Sequence, residues 1–341
     1  MNNIYENSLW EIDKKLENLQ NKKKIKQYYS LVGKMFIFRT LLTFIISAFI
    51  VSIYIVMRYT NINEIEFKDI KLPQIISILY TVISYTIANS IAYIYVKQKK
   101  KKYCDLSSYT KLAIDRYFFI LVVFGLGIQS LGALVNELLI FLKINVYSGV
   151  SFFNISEDIF GNTLVIVYLL VIAPITEEIL FRGVALKCFS VVDIKFGIFM
   201  SSLLFGLSHG TITQCVFTFF TGVIFSCIVI RYNSLVMSII CHVILNLTSV
   251  LFAYVEYVYH IKALKIENIY YISIFILMII FLIYILLNKK SNISRFIKSI
   301  LNNDGYIESE NIKVDTINLI IWVPSIVIMV IFYVIVISTQ L

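Results

Sequence analysis

An all-α, polytopic membrane helix bundle is the fold this sequence predicts, with a core of about eight helices and one accessory span. Three observations carry that reading. The chain of 341 residues is 59% hydrophobic and 15% charged, with a mean hydropathy of +0.83; soluble domains are about 45–50% apolar and about 25% charged. Its apolar residues fall in runs near the length of about 20 that a spanning helix needs. Its bases cluster at Lys14–Lys26, Lys97–Lys102 and Lys289–Lys298, in short segments beside those runs, as the positive-inside rule expects. The net charge of +9 therefore reads as membrane topology, and no nucleic-acid partner is expected, since no basic domain stands apart from the bilayer.

Taken in order, residues 1–32 form a polar, cytoplasmic, amphipathic segment in which Leu9, Trp10, Ile12, Leu16 and Leu19 recur at helical spacing. A solvated helix is the simpler expectation there and a membrane-surface helix the other. The first apolar run begins near Met35, behind that charged segment, so no cleavable signal peptide is expected. Nine candidate spans follow, over about 35–57, 75–96, 117–142, 162–187, 195–209, 212–230, 235–256, 270–287 and 318–338. The fifth is short and carries Ser201, Ser202, Ser208 and His209. It is admitted because the chain must cross between the basic ends at Lys187–Lys195 and Arg231.

The spans group as N-terminal transmembrane helices within 33–116, a core over 117–287, a cytoplasmic polar segment at 288–317 and a C-terminal helix within 318–341. With the N-terminus inside, the loops at 97–116, 188–194, 231–234 and 288–317 are cytoplasmic and hold most of the Lys and Arg. The loops at 58–74 and 143–161 carry Glu64, Glu66, Asp69, Glu157 and Asp158 and few bases, and the C-terminus falls outside. Cys104, Cys188, Cys215, Cys227 and Cys241 include no C-x-x-C pair and lie mostly in spans, so neither a disulfide framework nor a cysteine zinc site is suggested. High Ile, Asn and Lys usage points to an AT-rich bacterial genome and a bacterial plasma membrane.

Chemistry enters at Pro174-Ile175-Thr176-Glu177-Glu178-Ile179-Leu180-Phe181-Arg182, directly after the apolar run Thr163–Ala173. A charge at the centre of a spanning helix costs roughly 2.5 to 3.5 kcal/mol, so three at mid-depth cost on the order of 7–10 kcal/mol before pairing or water relieves it. Glu178 and Arg182 are spaced i,i+4 with the acid first, the favourable order. Glu177 lies about 100° round the helix from Glu178 and has no base one turn away. One glutamate is paired and the other is available. Two further polar sets interrupt apolar spans: Phe205 with His209, and His242 with Asn246. The last two, at i,i+4, point to one side of their helix.

Glu177, His209, His242 and Asn246 together suffice to hydrolyse an amide in a secluded cavity. A desolvated carboxylate without an adjacent cation can act as a general base near neutral pH. One histidine can hold the water, and the other, with Asn246, can donate to a developing oxyanion. Each piece also has a simpler reading: Glu178 with Arg182 as a packing device, the histidines as hydrogen-bonded core residues, Asn246 as a clasp between helices. Their joint presence on three helices favours function. Gly206-Leu207-Ser208-His209-Gly210 matches G-x-S-x-G, but a nucleophile elbow needs a strand before it. H-E-x-x-H is absent. A zinc site built from Glu177 or Glu178 with His209 and His242 remains chemically possible.

At these residues the sequence resembles the CPBP family of intramembrane proteases, which includes the type II CAAX prenyl proteases and bacteriocin-processing or immunity proteins. The family's E-E-x-x-x-R, F-x-x-x-H and H-x-x-x-N motifs stand here as Glu177-Glu178 with Arg182, Phe205 with His209, and His242 with Asn246. The resemblance covers about residues 120–256. It implies a core of about eight helices, with Glu177 as the base activating water and His209 assisting it. It places the oxyanion site at His242 and Asn246, and has Glu178 and Arg182 bracing the cavity. It implies a membrane-associated peptide or protein substrate, such as a leader peptide or a bacteriocin. No cofactor is expected, with zinc the one candidate. A proton- or ion-coupled transporter and a non-catalytic immunity protein of the same fold are the competing readings.

Overall fold

The computed structural model describes residues 2–59, 72–99, 110–142, 159–191, 193–259, 261–287, 300 and 323–338. The loop acids at 64–69 and 157–158, Cys104, His260 and almost all of the segment 288–317 lie outside the described residues. The described residues form nine helices and no strand. They are α1 (Asn2–Tyr59), α2 (Leu72–Lys99), α3 (Arg116–Phe141), α4 (Ile159–Phe189), α5 (Ile194–Leu207), α6 (Ile212–Tyr232), α7 (Leu235–Tyr259), α8 (Ile261–Leu287) and α9 (Pro324–Ser338). Six are long and apolar enough to cross a membrane: α1 over Leu19–Ile53, α3, α4, α6 over Gln214–Tyr232, α7, and α8 over Ile266–Leu287. The protein is an integral, multi-pass membrane protein.

Local sequence sets the helix ends. Asp115 caps α3, its carboxylate accepting from the amides of Tyr117 and Phe118. Asp193 caps α5 by accepting from Lys195, and Thr211 caps α6 by accepting from Gln214. Gly210, at φ +80°, makes the turn from α5 to α6, and Asn233, at φ 47°, ends α6 in the left-handed conformation. The G-x-S-x-G match at 206–210 is thus a helix end and a turn. Its first glycine serves close packing: a Cβ on Gly206 would lie 2.6 Å from the Cys215 carbonyl oxygen of α6.

Two elements differ from expectation. The fifth span was drawn to 209, but α5 ends at Leu207 and His209 sits in the turn beyond it. At about 1.5 Å per residue its 14 residues reach roughly 21 Å, short of a hydrocarbon core of about 30 Å. The end of the N-terminal segment also carries a buried face, which a solvated helix would not. The helix runs unbroken through residue 32, and Ile25, Tyr28, Tyr29 and Val32 are buried. Tyr29 packs 5.1 Å from Phe189 and 5.9 Å from Phe196, ring to ring. Burying those rings removes their apolar area from water, which outweighs the polar neighbours' preference for solvent.

Helix α4 is the centre of the bundle. Leu180 to Leu186 are all buried, with α1, α2, α5, α6 and α7 packed around the helix. Helix α9 pairs with α1, and Gly33 permits the approach, since a Cβ there would lie 2.8 Å from the backbone of Ser325 and Ile326. Helices α3 and α8 pair on the other flank.

Candidate active site

Helix α4 is not uniformly α-helical. It carries π turns at Tyr168–Ile172 and Ile179–Leu186, with the α-helical piece Ala173–Glu178 between them. Pro174 accounts for the first. It has no N–H and crowds the preceding turn, and widening that turn relieves the clash. The amide of Ala173 bonds to the Tyr168 carbonyl, a π-type i→i+5 bond. The Leu169 carbonyl is one residue on, and its π partner would be Pro174, which has no hydrogen to give. Asn246 supplies it: Nδ2 donates to the Leu169 carbonyl at 2.7 Å.

The two glutamates end in unlike surroundings. Glu178 is fully buried. One of its oxygens accepts from Arg182 Nη1 at 3.0 Å and His242 Nδ1 at 3.2 Å, and the other from Ser238 Oγ at 2.8 Å. Arg182 also donates to the Gly222 carbonyl at 3.2 Å, and its guanidinium lies 4.2 Å from the centre of the Phe205 ring. The Glu178–Arg182 pairing expected from the sequence is therefore present. Glu177, 14% exposed, has no hydrogen bond among the described residues, and its nearest ionic neighbour is His242 Nε2 at 3.9 Å.

His242 stands between the carboxylates. A carboxylate only accepts, so Nδ1 carries the proton shared with Glu178, and Nε2 lies 3.9 Å from Glu177. Phe225 stacks on the imidazole at 4.9 Å between ring centres. His209 is set the same way: Nδ1 is 2.8 Å from the Phe205 carbonyl, an acceptor only, which leaves Nε2 as the free acceptor. Phe205 meets both rings edge-on, at 4.8 Å to His209 and 6.0 Å to His242. Phe205 thus organises the site through its ring as well as its carbonyl.

Glu177, His209, His242 and Asn246 line one cavity of about 740 Å³, within the range of ligand sites. It takes in a residue that the sequence reading passed over. Arg39 of α1 is 4% exposed and lines the same cavity. Its Nε donates to Asn89 Oδ1 and its Nη1 to the Tyr333 hydroxyl at 3.3 Å. Asn89 in turn donates to Thr176 Oγ1 at 3.1 Å, one residue before Glu177. A lone arginine in a long apolar run was the available signal, since such residues face a bundle interior or a cavity.

Among the described residues, no three of His, Cys, Asp and Glu are grouped as a metal ion would require. Nδ1 of His242 is held by Glu178 and Nδ1 of His209 by a backbone carbonyl, contacts that orient an imidazole whatever its Nε2 engages.

Residues 159–248, about a quarter of the chain, match the family model described as Rce1-like, type II CAAX prenyl endopeptidase Rce1-like. No curated protein and no solved structure matches the chain. The matched segment runs from the start of α4 into α7 and contains Glu177, Glu178, Arg182, Phe205, His209, His242 and Asn246. Over that segment the chain is similar to the type II CAAX prenyl endopeptidases that the model describes.

Proposed function

We propose, with that similarity as premise, that the chain is an intramembrane endopeptidase using a water activated by Glu177 on a membrane-associated protein or peptide. The observation that supports this best is the unequal treatment of two adjacent carboxylates. Glu178 has both oxygens engaged, while Glu177 lines the cavity with His242 Nε2 3.9 Å away.

In the proposed reaction, His209 Nε2 accepts one hydrogen of the water and Glu177 removes the other. The water oxygen bonds to the carbonyl carbon, and the π pair of the C=O bond moves onto oxygen. Asn246 has a second Nδ2 hydrogen not used on Leu169, which can donate to that oxyanion. His242 can donate from Nε2 only as the imidazolium, because its Nδ1 hydrogen is committed to Glu178. Collapse of the oxyanion breaks the C–N bond, and the proton held by Glu177 passes to the leaving nitrogen. Glu178 and Arg182 act through position, fixing His242.

The test is cleavage of a membrane-partitioning fluorogenic peptide library by detergent-purified protein. Glu177→Gln is expected to lose on the order of 10²–10⁴ in rate, with helix content unchanged and wild-type activity surviving a chelator. Wild-type rates in Glu177→Gln would sink the assignment. Activity lost to the chelator and restored by zinc would move both histidines to metal ligation.

A further inference from the structure

Arg39 lies outside the matched domain, on the first helix, and its placement is elaborate. Its side chain is held from two helices, by Asn89 of α2 and Tyr333 of α9. The Tyr333 hydroxyl is shared with Thr40 Oγ1 at 3.1 Å, and the guanidinium lies 5.6 Å from the centre of the Tyr85 ring. These contacts engage Nε and Nη1. Among the described residues Nη2 has no hydrogen-bond partner, and Arg39 lines the cavity that holds Glu177. Arg39 is within electrostatic reach of Glu177 and His209, yet Arg39 and Glu177 make no direct ion pair among the described residues. Both line the same cavity without touching as an ion pair, so neither charge is spent on the other.

Amide hydrolysis moves one negative charge from the Glu177 carboxylate to the carbonyl oxygen, as the water proton goes one way and the C=O π pair the other. That charge needs donors fixed in advance. Each histidine has its Nδ1 engaged already, by Glu178 and by the Phe205 carbonyl. Asn246 has committed one of two. The remaining donor carrying a full positive charge on this cavity wall is Arg39.

We propose that Arg39 is a further catalytic residue, donating from Nη2 to the oxyanion that forms as Glu177 takes its proton, with Asn89 and Tyr333 as its positioning residues. This rests on the endopeptidase reading above. It also gives α1, α2 and α9, which lie outside the matched segment, a part in the chemistry. A guanidinium aimed at a charge that exists only during reaction lowers the barrier without tightening substrate binding.

The experiment compares kcat and KM for the wild type, Arg39→Gln, Arg39→Lys and Tyr333→Phe on one cleaved peptide, with Glu177→Gln as the inactive control. Arg39→Gln is expected to lower kcat by about 10²–10³ with KM unchanged. Arg39→Lys should recover part of that loss, and Tyr333→Phe should lower kcat by less. A raised KM with kcat intact would make Arg39 a ground-state anchor and overturn the proposal, as would wild-type kinetics. If Arg39→Gln does not fold, the other two variants decide: kcat must fall in both with KM unchanged, and wild-type kcat in both overturns it. Failure of the endopeptidase reading is seen separately, as wild-type cleavage indifferent to Glu177→Gln, and it removes this proposal as well.

Discussion

Glu177 and Glu178 are chemically identical neighbours, and their partners alone separate their roles. Taking a carboxylate and a guanidinium out of water costs several kcal/mol per ion, which is offset only if every lone pair and N–H is used. Glu178 comes close to that condition through Arg182, His242 and Ser238, while Arg182 Nε is buried without a partner among the described residues. Removing one partner leaves the other charge buried alone, so Glu178→Ala or Arg182→Ala should cost about 3–5 kcal/mol. The double replacement Glu178→Leu with Arg182→Met should cost less than either single change. Thermal unfolding in detergent measures all three, and a double variant less stable than both singles would contradict this account. Loss of activity is expected even where folding survives, because His242 loses the acceptor that orients it.

Helix α4 makes the corresponding argument for a whole element. A regular α-helix through Pro174 would break a backbone bond and clash; the π turn before it moves the orphaned acceptor to Leu169, where Asn246 can reach it. Asn246 therefore does structural work on α4 besides any donation to substrate. Asn246→Ala should cost about 1–3 kcal/mol for the unsatisfied carbonyl. In a Pro174→Ala background the restored N–H can serve the helix, and the cost of Asn246→Ala should shrink. A double-mutant cycle on thermal stability reads that coupling; additive effects would separate Asn246 from the proline.

For the molecule as a whole, the ends of several helices are tied together on one face. Asp115, before α3, accepts from the Tyr232 hydroxyl at the end of α6, as well as from the amides of Tyr117 and Phe118. Burial pushes the Asp115 carboxyl up, but the Tyr232 hydroxyl, the two amides and nearby Arg231 outweigh it and hold it below its ordinary value. A carboxylate lowered by folding adds stability above its unfolded pKa of about 3.9. That contribution is lost as pH falls through the lower folded value. Asp115→Asn should therefore be less stable than wild type at neutral pH, with the difference closing below about pH 4. A gap that stays constant down to pH 2 would show that the charge is irrelevant there. Across the bundle, α1 and α9 pair on the other flank, so the last described helix helps to hold Arg39 of the first.

The long apolar helices and the pairing of Glu178 with Arg182 were legible in the sequence because their causes are local. Apolar runs demand helices in a bilayer, and i,i+4 spacing puts acid and base on one side of a turn. The limits of that logic show at His209, placed by a cap and a turn beyond α5, and at Tyr28 and Tyr29, which are core. Asn246 was read as an oxyanion donor, with a clasp as its alternative; only the folded chain reveals that a missing N–H at Pro174, far away in sequence, claims one of its hydrogens. Arg39 was passed over for the same reason. Its partners, Asn89 and Tyr333, are 50 and 294 residues away, and no periodicity links positions so distant. Sequence by itself determined which helices form and which of them carry charge; tertiary structure decided which polar groups are already spent and which remain to act, because a hydrogen bond is a property of two atoms brought together.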